Sequence, residues 1–389
     1  MSTLKVNKIE NTASTDGGIE IDSDGHVQLD GLQFPTVGAL SNRNLIINGA
    51  MQVAQRSTSE TVSNNSNEGY STLDRWFLLF NDAIAGAVTF EQSTDSPAGF
   101  KNSAKITCST EGDTFDGNEY VALNQRIEAQ NLQLLNYGSS DAVTMTLSWY
   151  MKTTSYTGPI SVTLMTSDGT SEYFSVSVTP TNSWAKYTLT IPGSTSATIN
   201  DDTGRGMTVG FALAGYDSST IASSTDSTAW STTRADFRTD VGNILSSTSN
   251  SFFLTGVQLE VGSVATPFEH RSYGDELARC LRYYYKPDTE GSAKHAMMGI
   301  SYSADSYYIP FQFPVPMRAA PSVVAEGGGN WRSRTNNNNN FDVTWTTHGT
   351  TSTTNCTLQT SGGSIATGTP FWFETHDTSG CNLEISAEL

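Results

Sequence analysis

At 389 residues the chain is long enough for two or three domains that each bury their own core without disulfide staples. Its 21 Lys and Arg against 39 Asp and Glu give a formal charge of −18, a surface that repels a phosphate backbone and excludes nucleic acid as an expected partner. Only 15% of residues are charged while 10% are aromatic, and Ser, Thr, Asn and Gly are plentiful, which predicts a β-rich chain rather than a disordered one.

Behind Lys5 and Lys8 there is no apolar stretch, so no signal peptide is expected, and the aromatic-aliphatic run Trp76 to Phe80 is far short of a bilayer span, so no membrane insertion is expected. In residues 1–42, Ile19, Ile21, Val27 and Leu29 flank the turn Asp22-Ser23-Asp24-Gly25. The pattern predicts one short hairpin, too small to be stable alone, that anchors the chain or packs on a neighbouring copy. The turn opens like a calcium loop, but His26, Gln28 and Asp30 follow with no closing Glu, so a plain Asp-Gly turn is the reading.

Residues 43–272 carry a period-2 alternation of apolar residues against Ser and Thr, clearest from Val143 onward, which predicts half-buried antiparallel strands. Met145, Leu147, Trp149 and Met151 fall on one face, with Tyr150 on the other. Phe174, Val176 and Val178 point inward and Tyr173 outward; Tyr187, Leu189 and Ile191 point inward, opposite Trp184 and Lys186. Farther on, Phe253, Val257, Leu259 and Val261 form the inward set. Asp-Gly, Pro-Gly and Asn-Ser turns between short strands predict a sandwich, not βαβ units. Tyr216 to Ser251, with Trp230 and the cluster Arg234, Asp236, Arg238 and Asp240, reads as a long solvated surface loop.

A helix is predicted over Asp275 to Tyr285, with Leu277, Leu281 and Tyr284 on one stripe and Pro287 as its stop, inside a connector spanning 273–290. Residues 291–389 predict a second β-sandwich, with strands at Ile309-Phe313, Phe341-Trp345, Phe371-Phe373 and Cys381-Ile385.

No nucleophile elbow, metalloprotease helix, phosphate loop or dinucleotide fingerprint occurs, so no catalytic residue, metal or cofactor is assigned. A pair of carboxylates for glycoside cleavage is left open by 39 acidic residues. His348, His376, Cys356 and Cys381 could suggest a metal, but alternation sends both cysteines inward beside Leu358 and Leu383 as buried thiols. Exposed aromatics are the better candidates, because a sugar ring stacks its C–H face on Trp or Tyr while its hydroxyls bond to polar neighbours. Tyr150, Tyr173 and Trp184 fit that description in the first sandwich, or else cover an intersubunit contact. In the second, a loop from Gly327 through Trp331, Arg332 and Arg334 into Asn336 to Asn340 unites a ring with two cations, or is low-complexity drift. Trp372 stands opposite the inward Phe371 and Phe373 and joins this set.

Ser2-Thr3-Leu4-Lys5-Val6-Asn7-Lys8-Ile9 is similar to the openings of several fibres of marine and cyanobacterial phages, and several further strings resemble a domain common in tail fibres and related virion proteins of tailed bacteriophages. These are Asn44-Leu45-Ile46-Ile47-Asn48-Gly49-Ala50-Met51-Gln52-Val53-Ala54-Gln55-Arg56, Leu73-Asp74-Arg75-Trp76, and Gly256-Val257-Gln258-Leu259-Glu260-Val261-Gly262 with Ala265-Thr266-Pro267-Phe268-Glu269-His270-Arg271. Tyr273-Gly274-Asp275-Glu276-Leu277-Ala278-Arg279-Cys280 and Phe313-Pro314-Val315-Pro316-Met317-Arg318 extend the match. The resemblance implies a mainly β chain: a short anchoring segment, a jelly-roll β-sandwich like that of carbohydrate-binding modules, a connecting helix and a C-terminal β-sandwich tip. It implies a homotrimer in the virion tail that contacts other tail proteins through its N-terminus and binds host surface glycan, lipopolysaccharide or capsule. A polysaccharide depolymerase and a purely structural decoration or adaptor protein are the alternatives.

Overall fold

A computed structural model of the chain describes residues 8–9, 19–21, 27–29, 32–33, 41–64, 68–82, 84–112, 115, 119–215, 225–287, 297–326, 331–335, 340–342, 344–347, 349, 351–361, 365–375 and 382–389. The chain is mainly β and divides into two compact units, Met1–Ser272 and Tyr273–Leu389. No helix among the described residues is long and apolar enough to cross a membrane.

The first unit opens with a small antiparallel sheet of β1 (Lys8–Ile9), β2 (Ile19–Ile21), β3 (Val27–Leu29) and β4 (Leu32–Gln33). The expected hairpin is its centre, with Ile19 opposite Leu29 and Ile21 opposite Val27, but a strand is added on each side. Ile9, Ile19 and Ile21 are exposed. Asp22 to Gly25 lie outside the described residues.

The sandwich follows in β5 (Ser59–Ser63), β6 (Phe77–Asn81), β7 (Ala87–Ser93), β8 (Ser103–Thr110), β9 (Tyr120–Glu128), β10 (Met145–Thr154), β11 (Ile160–Thr166), β12 (Tyr173–Val178), β13 (Ala185–Ile191), β14 (Arg205–Gly215) and β15 (Ser251–Val261). They form a six-stranded sheet ordered β13-β10-β15-β8-β7-β5 and a five-stranded sheet ordered β12-β11-β14-β9-β6, packed as a jelly roll. Between the sheets lie Trp76, Phe90, Leu123, Leu147, Trp149 and Phe211 among others, all buried. Met145, Leu147, Trp149 and Met151 point into this core as their alternation requires, and so do Phe174 and Ile191.

Phe253 does not. Pairing between β10 and β15 runs from Ser148 opposite Gln258 to Tyr150 opposite Thr255, so β15 carries one extra residue. That bulge sits at Gly256, whose φ is +60°, and it inverts the strand's phase. Val257 and Leu259 face the core on one side of it, Phe252 and Leu254 on the other, which leaves Phe253 on the outer face. A Cβ at Gly256 would stand 2.6 Å from Phe100 and 2.9 Å from Tyr150, so only glycine serves there.

The segment read as a solvated loop is also corrected. Its described part, from residue 225, carries short 3-10 helices at Arg234–Phe237 and Ile244–Ser246, and Arg238, Thr239, Val241, Ile244 and Leu245 are buried. The cause is the outer face of the five-stranded sheet, where Tyr120, Ala122 and Ala212 make an apolar floor that Val241 and Phe237 cover.

The ends of the sandwich are clasped together. The Leu45 amide donates to the Leu259 carbonyl at 2.9 Å, and Asn44 Nδ2 donates to the Val257 carbonyl at 3.1 Å. Arg271 donates to the carbonyls of Ile46 and Asn44, and Arg43 Nε lies 3.5 Å from Glu260. Asn48 ties the same region inward: its side chain accepts from the amides of Gln52 and Val53 and donates to the Val53 and Asp74 carbonyls. The strings that carry the phage resemblance are thus the joinery of this clasp.

The second unit begins with α1 (Tyr273–Leu281), shorter than the expected helix because Tyr284–Tyr285 instead forms β16, pairing with residues Ile385 and Ser386. Its buried positions are Glu276 and Cys280 rather than Leu277 and Leu281. Then come β17 (Met297–Ser303), β18 (Ser306–Gln312), β19 (Ser322–Glu326), β20 (Trp331–Arg334), β21 (Asn340–Asp342), β22 (Thr344–Thr347), β23 (Asn355–Ser361), β24 (Pro370–Thr375) and β25 (Asn382–Ser386). A three-stranded sheet, β16-β25-β19, and a seven-stranded sheet, β21-β20-β24-β17-β18-β23-β22, enclose Tyr307, Ile309, Trp331, Leu358, Phe371 and Phe373. Cys356 is buried as expected beside Leu358; the expected faces of Phe341, Val343 and Trp345, together with His348, His376 and Cys381, lie outside the described side chains.

Candidate functional site

The three aromatic candidates of the jelly roll do not form one site. Tyr150 and Trp184 lie on the outer face of the six-stranded sheet, but both are engaged. Tyr150 packs against Phe100 at 5.3 Å between ring centres, and Phe100 in turn meets Phe268 and His270. Trp184 Nε1 donates to Asp95 Oδ1 at 3.0 Å, and its ring meets the displaced Phe253 edge-on. Lys152 sits over both rings, 5.5 Å from Trp184 and 4.7 Å from Phe253, and reaches Asp95 Oδ2 at 2.6 Å. Burial pushes the Asp95 carboxyl up, but the hydrogen bonds from Lys152 and Trp184, with the charges of Lys152 and Lys105, hold it below the usual range.

Tyr173 belongs to the other sheet and is buried, against the expectation that it faces solvent. Its backbone pairs with Ser231 and its ring meets Phe237 edge-on at 5.6 Å, so residues 225–241 cover what alternation reads as an outer face.

In the second unit, Trp331 is not a loop residue. It stands in β20 with no exposed surface, stacked parallel on Phe373 with ring centres 5.1 Å apart. Gly327 to Asn330 and residues 336–339 lie outside the described residues. Strand alternation turns Arg332 and Arg334 to the face opposite Trp331, and Trp372 shares that face, 46% exposed. Register sets Arg334 opposite Trp372 and Trp372 opposite Met298, so a cation, an indole and a thioether stand in one row across three strands. A cavity of about 260 Å³ opens beside that row, lined by Met298, Arg334, Thr335, Thr369, Pro370, Phe371 and Trp372. Arg332 Nε bonds to Glu374 Oε1 at 2.7 Å, and Arg334 Nη1 lies 3.6 Å from the same oxygen. Two guanidinium groups thus share the Glu374 carboxylate.

The apolar row continues in residues that alternation in the sequence did not single out. Met298, Ile300 and Tyr302 are exposed on β17, and Tyr302 meets Tyr308 of β18 at 5.2 Å. Their signal was present as the alternation Met298-Gly299-Ile300-Ser301-Tyr302, but alternation alone sends the apolar phase inward, whereas here Gly299 and Ser301 are the buried phase. Among the described residues no group of three or more His, Cys, Asp or Glu is placed to hold a metal ion.

No family model and no curated protein matches the chain. Solved structures do, at low scores. One described as "CBM4 structure and function" is 18% identical over 55% of this chain and 98% of that one, with a TM-score of 0.30. The family 11 carbohydrate-binding module from Clostridium thermocellum in complex with a mixed-linked tetrasaccharide is 11% identical over 54% of this chain and 99% of that one, TM-score 0.28. The enzymatically active domain of tailspike protein 4 of bacteriophage CBA120 is 11% identical over 59% of this chain, TM-score 0.29, and the match spans only 24% of that chain. The likeness is one of mainly β sandwich architecture.

Proposed function

We propose that the chain is a glycan-binding attachment protein of a tailed-phage virion, and that the outer face of the seven-stranded sheet is its binding surface. Trp372 carries the reading: a half-exposed indole on a rigid strand, beside a cavity of about 260 Å³ with a guanidinium on its rim. The indole offers a face to the C–H side of a pyranose, and Arg334, Thr335 and Thr369 supply polar groups for its hydroxyls. Met298 adapts to irregular apolar contours. The arrangement binds and has no assigned nucleophile or acid–base pair.

The small N-terminal sheet fits the anchoring role, because Ile9 and Ile19 stand opposite each other, both exposed, and three such faces meeting in a homotrimer would bury them. Other tail proteins are the partners on that side, and host lipopolysaccharide or capsule is the partner of the Trp372 face. Binding of the full chain to an array of bacterial surface polysaccharides tests this. A polysaccharide held by the native protein and lost on Trp372→Ala is the expected result; no polysaccharide bound, or equal binding by both proteins, overturns it.

A further inference from the structure

We infer that the first unit holds an oxyanion on the outer face of its five-stranded sheet, gripped side-on by Arg238. This site is separate from the Trp372 surface and does not depend on it. Arg238 has no exposed surface. Its Nη1 donates to the Glu119 carbonyl at 3.4 Å, and its guanidinium carbon lies 4.4 Å from the centre of the Tyr120 ring. Nε and Nη2 are buried with no hydrogen-bond partner. Those two N–H groups make up one edge of the guanidinium, the edge that takes a carboxylate, sulfate or phosphate through two parallel bonds.

Nothing described in the chain supplies that anion. Burial, with the Arg234 cation behind it, pulls the Arg238 pKa down to about 10, which still leaves it protonated, and the Tyr120 phenol beside it is neutral because burial raises its own pKa. A buried cation without a counter-charge is strongly unfavourable, and a fold retains one where something else completes it. Tyr120 covers one flat face of the guanidinium but cannot accept from its edge. The space is also shaped for this group: a Cβ on Gly215 would stand 2.2 Å from Nη1, so the glycine makes room for the guanidinium.

Arg126, Arg205 and Arg234 act on the Tyr120 phenol together with Arg238. An acidic oligosaccharide and a free ion share the oxyanion chemistry. Because Arg238 is closed from solvent, the anion enters by local opening of the segment that carries it.

Thermal melting of the full chain at fixed ionic strength tests the site, with sodium phosphate, a galacturonic acid trimer or a neutral galactose trimer replacing part of the chloride. One or both of the anionic additions should raise the melting temperature, by roughly 3–6 °C at ten times its dissociation constant, and the neutral trimer should not. A response to phosphate alone identifies a free ion as the ligand, and a response to the acidic trimer alone identifies a glycan. Arg238→Met should abolish the rise. Should that variant not fold, Arg238→Lys keeps the charge but loses the fork, and should retain less than a tenth of the affinity. The site is overturned if neither anion raises the native protein's melting temperature, if the neutral trimer matches them, or if the Arg238 variant responds as the native protein does.

Discussion

Gln125 holds Ile47 by both of its backbone polar groups: Gln125 Nε2 donates to the Ile47 carbonyl at 2.8 Å, and the Ile47 amide donates to Gln125 Oε1 at 2.8 Å. Gln125 is buried on β9, so a side chain of one sheet pins the segment that enters the sandwich. Gln125→Ala leaves two backbone groups without partners and should lower stability by about 2–4 kcal/mol in urea unfolding. Gln125→Glu keeps the acceptor but at neutral pH buries a carboxylate with one oxygen against the Ile47 carbonyl, and should be at least as destabilising as Gln125→Ala.

The two tryptophans first grouped together in the second unit should separate cleanly. Trp372→Ala should leave urea unfolding of that unit unchanged and weaken polysaccharide binding about five- to a hundred-fold, the equivalent of about 1–3 kcal/mol. Trp331→Ala removes a stacked core ring and should destabilise the unit by about 3–5 kcal/mol. Measuring unfolding and binding on both variants tells a sugar platform from a core residue.

Acid should loosen the clasp. Burial pushes the Glu269 carboxyl up, but the Asn44 and Arg43 amides and the Arg271 and Arg43 charges outweigh it and hold the pKa below the ordinary 4.5. A depressed folded-state pKa contributes stability that is fully present above the unfolded value and is lost as pH falls through the folded one. Glu269→Gln should therefore melt below the native protein at pH 7 and approach it as pH drops below about 4, where native Glu269 also becomes neutral. A constant gap across that range would show that Glu269 acts by packing alone.

Thiol labelling should be slow in the folded chain. Burial raises the Cys108 thiol and lifts Cys356 to about 11, so at pH 8 only about one Cys356 in a thousand is the reactive thiolate. Mass spectrometry after a short iodoacetamide pulse should find Cys108 and Cys356 unmodified, and labelled once urea unfolds the protein.

Truncation bears on the N-terminal sheet. Removing residues 1–40 should leave the melting transitions of both units in place, since the clasp begins at Arg43, while light scattering should show the proposed trimer converted to monomer. A native chain that is already monomeric would remove the oligomerisation role.

Alternation in the sequence located the faces of β10 and β24, because each runs without interruption: Trp149 is inside, and Trp372 is outside between Phe371 and Phe373. It failed at Phe253 because one bulged residue at Gly256 shifts every position before it to the other face. For Tyr173, the cover comes from residues 225–241, distant in sequence and polar in composition, and no local pattern anticipates it. Trp331-Arg332-Ser333-Arg334 is itself an alternating string, hidden between a glycine run and an asparagine run that read as loop. The Arg238 site had no legible signal, since an arginine in a Ser- and Thr-rich stretch reads as solvated until the fold encloses it.

The clasp at the two ends of the sandwich also sets how the unit bears load. Tension entering at residue 42 and leaving at residue 272 meets the bonds between Leu45 and Leu259, between Asn44 and Val257, and between Arg271 and the carbonyls of Asn44 and Ile46 before it reaches any other strand. The pull is carried across a short bridge into the end of β15, so the other ten strands of the sandwich hang outside the line of force.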